Sequence, residues 1–424
     1  NMVIAIGHSA AQSFTADRGY GIYIGRLAGQ AETGVYNDTI VGGEAGYSQN
    51  MGGAGASYSY STYIGYRAGY YNVSGLSNTY VGNEAGFSKT GASNVAVGAD
   101  ALFGGANEVK VGDANTAVGV TAGAYVSGDS TVHIGAYAGR HASGSYNVSV
   151  GVRAGGGGTT SAPYSTGTNN VAIGYEALKV FTTGGSNVTI GYRSGYDLTT
   201  GNYNTFLGRE SGFEVTTNEG SVFLGYQAGK NTKGDYHYNI AIGMQALSSA
   251  HTTAGTIAIG YKSLEKVTSG AGNVAMGYEA MKNLVSGAGN VAIGYEAGEG
   301  FENAETGNVA IGFEAMALAD EGTGGGSTDH NIGIGYQALV MGDVASNDRN
   351  RQGNIAIGGF ALNSTSDIAI TGTIAIGHNA LTALSSGTSG NVAIGYQVAQ
   401  SLTSGVQNTI IGYQAATALG TGNY

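Results

Sequence analysis

The 424-residue chain has no cysteine and no tryptophan, a single proline, and only 11 % charged residues. Without cysteine there are no disulfides, no thiolate catalysis and no cysteine-based zinc sites. With one proline, Pro163, collagen-like helices are excluded, and glycine does not fall at every third residue. Few charges beside a hydrophobic fraction of 42 % contradict the signature of disorder. Acids outnumber bases, 28 to 17, for a net charge of −11, which argues against nucleic acid as a partner. No apolar run reaches the ~18 residues of a membrane span, so no membrane insertion is expected. What the chain has in excess is glycine, 78 residues, about two and a half times the usual share.

That glycine is periodic. Asn-Val-Ala-Ile-Gly-Tyr-Glu-Ala occurs at Asn170–Ala177 and Asn290–Ala297, and with Phe for Tyr at Asn308–Ala315. Relaxing the motif gives 23 anchor glycines from Gly7 to Gly412, most often 17 residues apart. A period this short suits neither helix pairs nor propeller blades, whose repeats run to ~34 residues or more. It suits one coil of a parallel β-solenoid, or β-roll, with two short strands and two turns per coil. An all-β solenoid of about 23 coils follows, as one continuous repeat domain. Residues 1–165 form irregular Gly/Tyr-rich coils and residues 166–424 regular ones. At the usual strand spacing of ~4.8 Å such a stack would make a rod of roughly 110 Å. The chain starts inside a repeat, at Val3-Ile4-Ala5-Ile6-Gly7, and no cap is read at either end.

Columns down the stack carry the expected roles. Four residues before the anchor stands Asn in 15 of 23 repeats, including Asn170, Asn187, Asn273, Asn290, Asn308, Asn354 and Asn391. These are expected to form a hydrogen-bonded ladder. The next three residues alternate large, small, large, as in Val291-Ala292-Ile293. Alternation with period two puts Val and Ile on one face of the strand and Ala on the other. The reading is that the bulky face fills the coil. The small face, with Ala172, Ala241, Ala258, Ala275, Ala292, Ala310, Ala356, Ala375 and Ala393, would then be left for close packing between chains.

The Val-Ala-Ile-Gly motif resembles the head repeats of trimeric autotransporter adhesins. The longer Asn-Val-Ala-Ile-Gly-Tyr-x-Ala-Leu form, with its Thr-Ser-Gly connector, is also similar to bacteriophage tail-fibre repeats. The resemblance implies a left-handed parallel β-roll whose three copies pack about a common axis. It further implies a homotrimeric fibre that acts outside the cell, at a cell surface or on a virion.

No nucleophile elbow, phosphate loop or zinc-protease motif is present, so the expectation is a protein that is not an enzyme and has no cofactor. Residues 299–348 hold nine acids and no Lys or Arg. Among them Asp320, Glu321, Asp329, Asp343 and Asp348 are candidates to gather calcium, against the plainer reading of a solvated acidic face. Residues 47–80 hold eight tyrosines. Of these Tyr58, Tyr60, Tyr63, Tyr66, Tyr70 and Tyr71 are candidates to contact a host receptor or glycan, against the reading that they stack along the coil. Thr182, Thr199 and Thr216 form a short threonine column, the one feature that points to an ice-binding solenoid. The leading expectation is a structural fibre subunit for surface attachment. A head-to-tail homopolymeric filament and an ice- or carbohydrate-binding solenoid are the alternatives.

Overall fold

The computed structural model describes residues 2–14, 19–31, 37–48, 59–104, 112–159, 164–232, 237–249, 251–318, 327–340, 350–364, 369–385 and 389–421. Contacts divide the chain into two compact units, Asn1–Thr217 and Asn218–Tyr424. Both are parallel β-solenoids, and no helix occurs among the described residues. The first unit stacks twelve strands, from Met2–Ile6 to Thr205–Leu207. The second stacks eleven in the same way, from Val222–Leu224 to Thr409–Ile411. Each strand runs directly into one of the anchor glycines.

Pairing is parallel and in register, so like positions stack: Val171 on Val188, Ala172 on Thr189, Ile173 on Ile190. Each coil carries one principal strand, usually of three residues, rather than two. The rest of the coil is a chain of tight turns. Its backbone alternates into the left-handed region two and four residues after the anchor, as at Glu176 (φ 53°) and Leu178 (φ 48°). A left-handed residue with a side chain costs roughly 1–2 kcal/mol. Bonds to both neighbouring coils offset it: Glu176 N–H donates to Val152 O at 3.0 Å and Leu178 N–H to Ser194 O at 3.0 Å. Between them, Ala177 N–H closes a turn on Gly174 O at 3.4 Å. A second, three-stranded parallel sheet of Ser327–Asp329, Asn350–Gln352 and Ile370–Thr371 occurs in the second unit.

The anchor must be glycine for two reasons. Gly174 has φ 129°, and a Cβ built there would stand 2.5 Å from the carbonyl oxygen of Gly191, the next anchor. The columns of anchors are therefore places where backbone lies directly on backbone.

The inside and outside of the strand are the reverse of the sequence reading. Ala172, Ala241, Ala258, Ala275, Ala292, Ala310, Ala356, Ala375 and Ala393 are all fully buried within their own chain. They cannot be a packing stripe between chains. The flanking Val and Ile point outward: Ile173 is 36 % exposed and Ile293 38 %. The cause is the narrowness of the coil, whose interior is already occupied by Ala177, Leu178 and Phe181 from the turns. Opposite that wall the middle of the strand has room for Ala, and none for a second layer of Val and Ile.

Candidate functional surfaces

The outer sheet face is a candidate surface of each unit. Its last strand position is exposed in Ile64, Val97, Val118, Ile134 and Leu207 of the first unit and in Met276, Ile293 and Ile357 of the second. Beside it, the residue after the anchor builds an aromatic column. Tyr261, Tyr278, Tyr295 and Phe313 stack with ring centroids 5.0 Å apart, and Phe313 stacks on Tyr336 at 5.3 Å. Those spacings match the distance between strands, which is why one aromatic per coil can stack continuously. The Tyr295 hydroxyl is pushed up to about 12, first by its hydrogen bond to the Glu296 carboxylate. Aliphatic columns next to an aromatic one make an apolar face that water alone covers in a single chain.

Behind that face runs an asparagine ladder. Asn187 N–H and Nδ2 both donate to Asn170 Oδ1, each at 3.0 Å, while Asn187 Nδ2 also donates to Gly201 O at 2.8 Å. Asn204 repeats the pattern on Asn187. In the second unit Asn290 bonds to Asn273, Asn308 to Asn290, and Asn354 to Asn331 in the same way. Asn391 accepts likewise from Asn408. Every one of these side chains is buried, so the ladder holds coils together and presents nothing to a ligand.

The tyrosine cluster divides. Tyr58 lies outside the described residues. Tyr63 is a core residue, fully buried and hydrogen-bonded at its hydroxyl by Asn72 Nδ2, and cannot touch a receptor. It occupies the inward strand position that Ala takes elsewhere. Tyr60, Tyr66 and Tyr71 are exposed. Tyr70 sits in a second stack, 4.9 Å from Tyr47 and 5.3 Å from Phe87, with Tyr71 against its edge at 4.5 Å. Burial raises the Tyr70 hydroxyl above its ordinary value.

Of the acidic candidates, Asp320, Glu321, Asp343 and Asp348 lie outside the described residues. Asp329 Oδ1 accepts from Thr306 N–H at 2.8 Å, and Oδ2 pairs with Ser327 Oγ. Among the described residues no three metal-ligating side chains come together. Two hydroxyls of the threonine column donate to the protein: Thr182 Oγ1 to Thr199 O at 3.1 Å and Thr199 Oγ1 to Thr216 O at 3.0 Å. Each of these two hydroxyls has its proton committed to a backbone carbonyl and keeps only acceptor capacity towards water.

Sequence reasoning missed one feature, a basic cleft near Tyr137. Its signal is a run of composition: residues 130–196 contain Arg140, Arg153, Lys179 and Arg193 but only one acid, Glu176. No family model matches the chain, and no curated protein matches it.

Proposed function

We propose that the chain is a non-enzymatic structural subunit of an extracellular or virion fibre used for surface attachment, and that its copies associate through the Val/Ile face, three to an assembly. The observation that carries this reading is the exposed aliphatic columns, backed in each unit by an in-register parallel sheet. Monomeric soluble proteins rarely leave contiguous apolar patches larger than a few hundred Å² in water. A second copy has the same repeat spacing and can meet such a face coil for coil. The resemblance to adhesin heads and tail-fibre repeats favours attachment as the purpose of the assembly. Tightly bonded coils with few long side chains in the core suit a part that must transmit force and resist proteolysis.

The test is the mass of the purified protein in solution, combined with electron microscopy. Particles of three times the chain mass of 42.5 kDa support a trimeric fibre. Long filaments assign the chain instead to a homopolymer. A stable monomer at micromolar concentration overturns association through this face.

A further inference from the structure

The chain is acidic, yet its first unit gathers cations around one open cleft. Tyr137, Arg140, His141, Arg153, Lys179 and the backbone of 156–158 line a hollow of about 410 Å³. That volume falls within the range of small-molecule sites. Gly156, Gly157 and Gly158 form a backbone wall packed on neighbouring backbone, since a Cβ at each would stand 3.4 Å from Lys179 O, 2.7 Å from His141 O and 2.2 Å from Val180 O. It is also fixed, since Gly158 N–H donates to Phe181 O at 2.7 Å and His141 N–H to Gly156 O at 3.0 Å. The His141 ring packs in a triangle with Tyr125 and Tyr164, its centroid 5.5 Å from each and theirs 5.3 Å apart.

Charge is unbalanced here. Glu176 is buried and receives Lys179 Nζ at 2.8 Å, Arg193 Nε at 3.0 Å and Arg153 Nη1 at 3.4 Å. Burial alone would raise the Glu176 carboxyl, but Lys179 and Arg193 overcome that and hold it below the usual carboxylate range. One carboxylate thus serves three cations. Arg140 adds a fourth positive charge and has no ion pair among the described residues. Its Nε is buried without a hydrogen-bond partner. The Arg140 and Arg153 guanidiniums both lie over the Tyr137 ring, at 5.6 and 5.9 Å from its centroid. Two like charges brought onto one ring repel each other, and an anion between them relieves that repulsion while pairing with planar donors.

We propose that this cleft binds the oxyanion of an acidic sugar, a carboxylate or phosphate carried on a pyranose, with Arg140 and Arg153 holding the anion and the open hollow beside the backbone wall receiving the ring. This deepens the attachment reading by naming the chemistry of one contact. Its test does not depend on that reading, because binding is measured on the purified chain, and it can succeed even where attachment fails.

Titration calorimetry of the full chain against glucuronate, glucose 6-phosphate, glucose and inorganic phosphate decides the matter. The expected result is that at least one of the two acidic sugars binds at least tenfold more tightly than glucose and than inorganic phosphate. Which of the two does so identifies the source of the oxyanion. Arg140→Ala and, separately, the half-exposed Arg153→Ala should each weaken that binding at least tenfold, with unchanged circular dichroism. Arg209→Ala, outside the cleft, should leave it unchanged. Binding of neither acidic sugar overturns the proposal. So does inorganic phosphate binding as tightly as glucose 6-phosphate with glucuronate inert, which would mark a simple anion site. Undiminished affinity in a folded Arg153→Ala protein overturns it as well.

Discussion

Phe206 and Gly212 divide one volume between them: a Cβ added to Gly212 would stand 2.7 Å from the Phe206 ring. The same trade is made along both units. Where the inward strand residue is large, as in Tyr80 or Phe223, the residue four after the anchor is Gly86 or Gly229. Where it is Ala172, Ala258 or Ala275, that place is taken by Leu178, Leu264 or Met281. Gly212→Leu should therefore overpack the coil by about 1–3 kcal/mol. Phe206→Ala should open a cavity worth roughly 3–5 kcal/mol. The double variant restores the Ala172–Leu178 pairing and should be less destabilised than the two losses added together. Denaturant unfolding of all four proteins measures this coupling. Strict additivity would show the exchange to be accidental.

The asparagine ladder sets a second expectation. Asn187 Oδ1 accepts the Asn204 backbone N–H at 3.0 Å, and both residues are buried. Asn187→Ala leaves that N–H with no acceptor, a loss of about 1–3 kcal/mol for an unsatisfied buried group. Serine is a natural occupant of the column that keeps the acceptor: Ser61 Oγ accepts from Asn78 N–H at 3.3 Å and Ser221 Oγ from Asn239 N–H at 3.2 Å. Asn187→Ser should accordingly lose less than Asn187→Ala in thermal melts. Equal losses would place the stabilisation in packing rather than in the ladder.

Adjacent residues on the strand Val291–Ile293 separate folding from association. Ala292 points into the coil and is completely buried, while Ile293 points outward. Ala292→Asp should abolish the folded state, because an unpaired charge in this core has no partner. Ile293→Asp should leave the circular dichroism spectrum intact and, if copies meet on this face, lower the mass seen by sedimentation. An Ile293→Asp protein of unchanged mass would remove the outer face from any interface.

The period, the all-β class and the place of the principal strand of each coil are legible in the sequence because one glycine per coil must lie against the next, whereas the expected second strand per coil and the separate sheet of Ser327–Asp329, Asn350–Gln352 and Ile370–Thr371 are not. In-register stacking then repeats Asn, Val and Ile visibly. The facing of the strand is not legible from alternation alone. Val291-Ala292-Ile293 reads the same whichever side is the core, and the side is decided by the volume that Leu284 and Met281 already fill from the turns. The exchange of Phe206 for Gly212 is readable as a paired substitution between coils, although Gly123 opposite Ala117 and Gly298 opposite Ala292 blur it, since Leu102 and His133 crowd the first and Phe301 the second. The basic cleft escaped notice because its residues come from three coils and match no motif, so that only the charge count over 130–196 betrays it.

Acid should weaken the fold through two buried histidines. His133 takes the inward strand position, completely buried, and neither ring nitrogen has a hydrogen-bond partner among the described residues. Burial lowers it to about 4, with Lys89 contributing by charge repulsion. His251 is lowered to about 4 by burial as well, its ring held between Thr232 Oγ1 at 2.6 Å and Thr253 Oγ1 at 3.0 Å. An unfolded histidine titrates near 6.5, so between 6.5 and about 4 the unfolded chain binds protons that the folded chain refuses. Stability is then complete above pH 6.5 and falls as the pH drops towards 4, by up to roughly 3 kcal/mol for each histidine. His133→Phe matches the aromatic already used against Gly212 and carries no proton. It should keep the fold and flatten part of the decline in melting temperature between pH 7 and pH 4.5. A decline identical to that of the unaltered protein would assign the acid sensitivity to other groups.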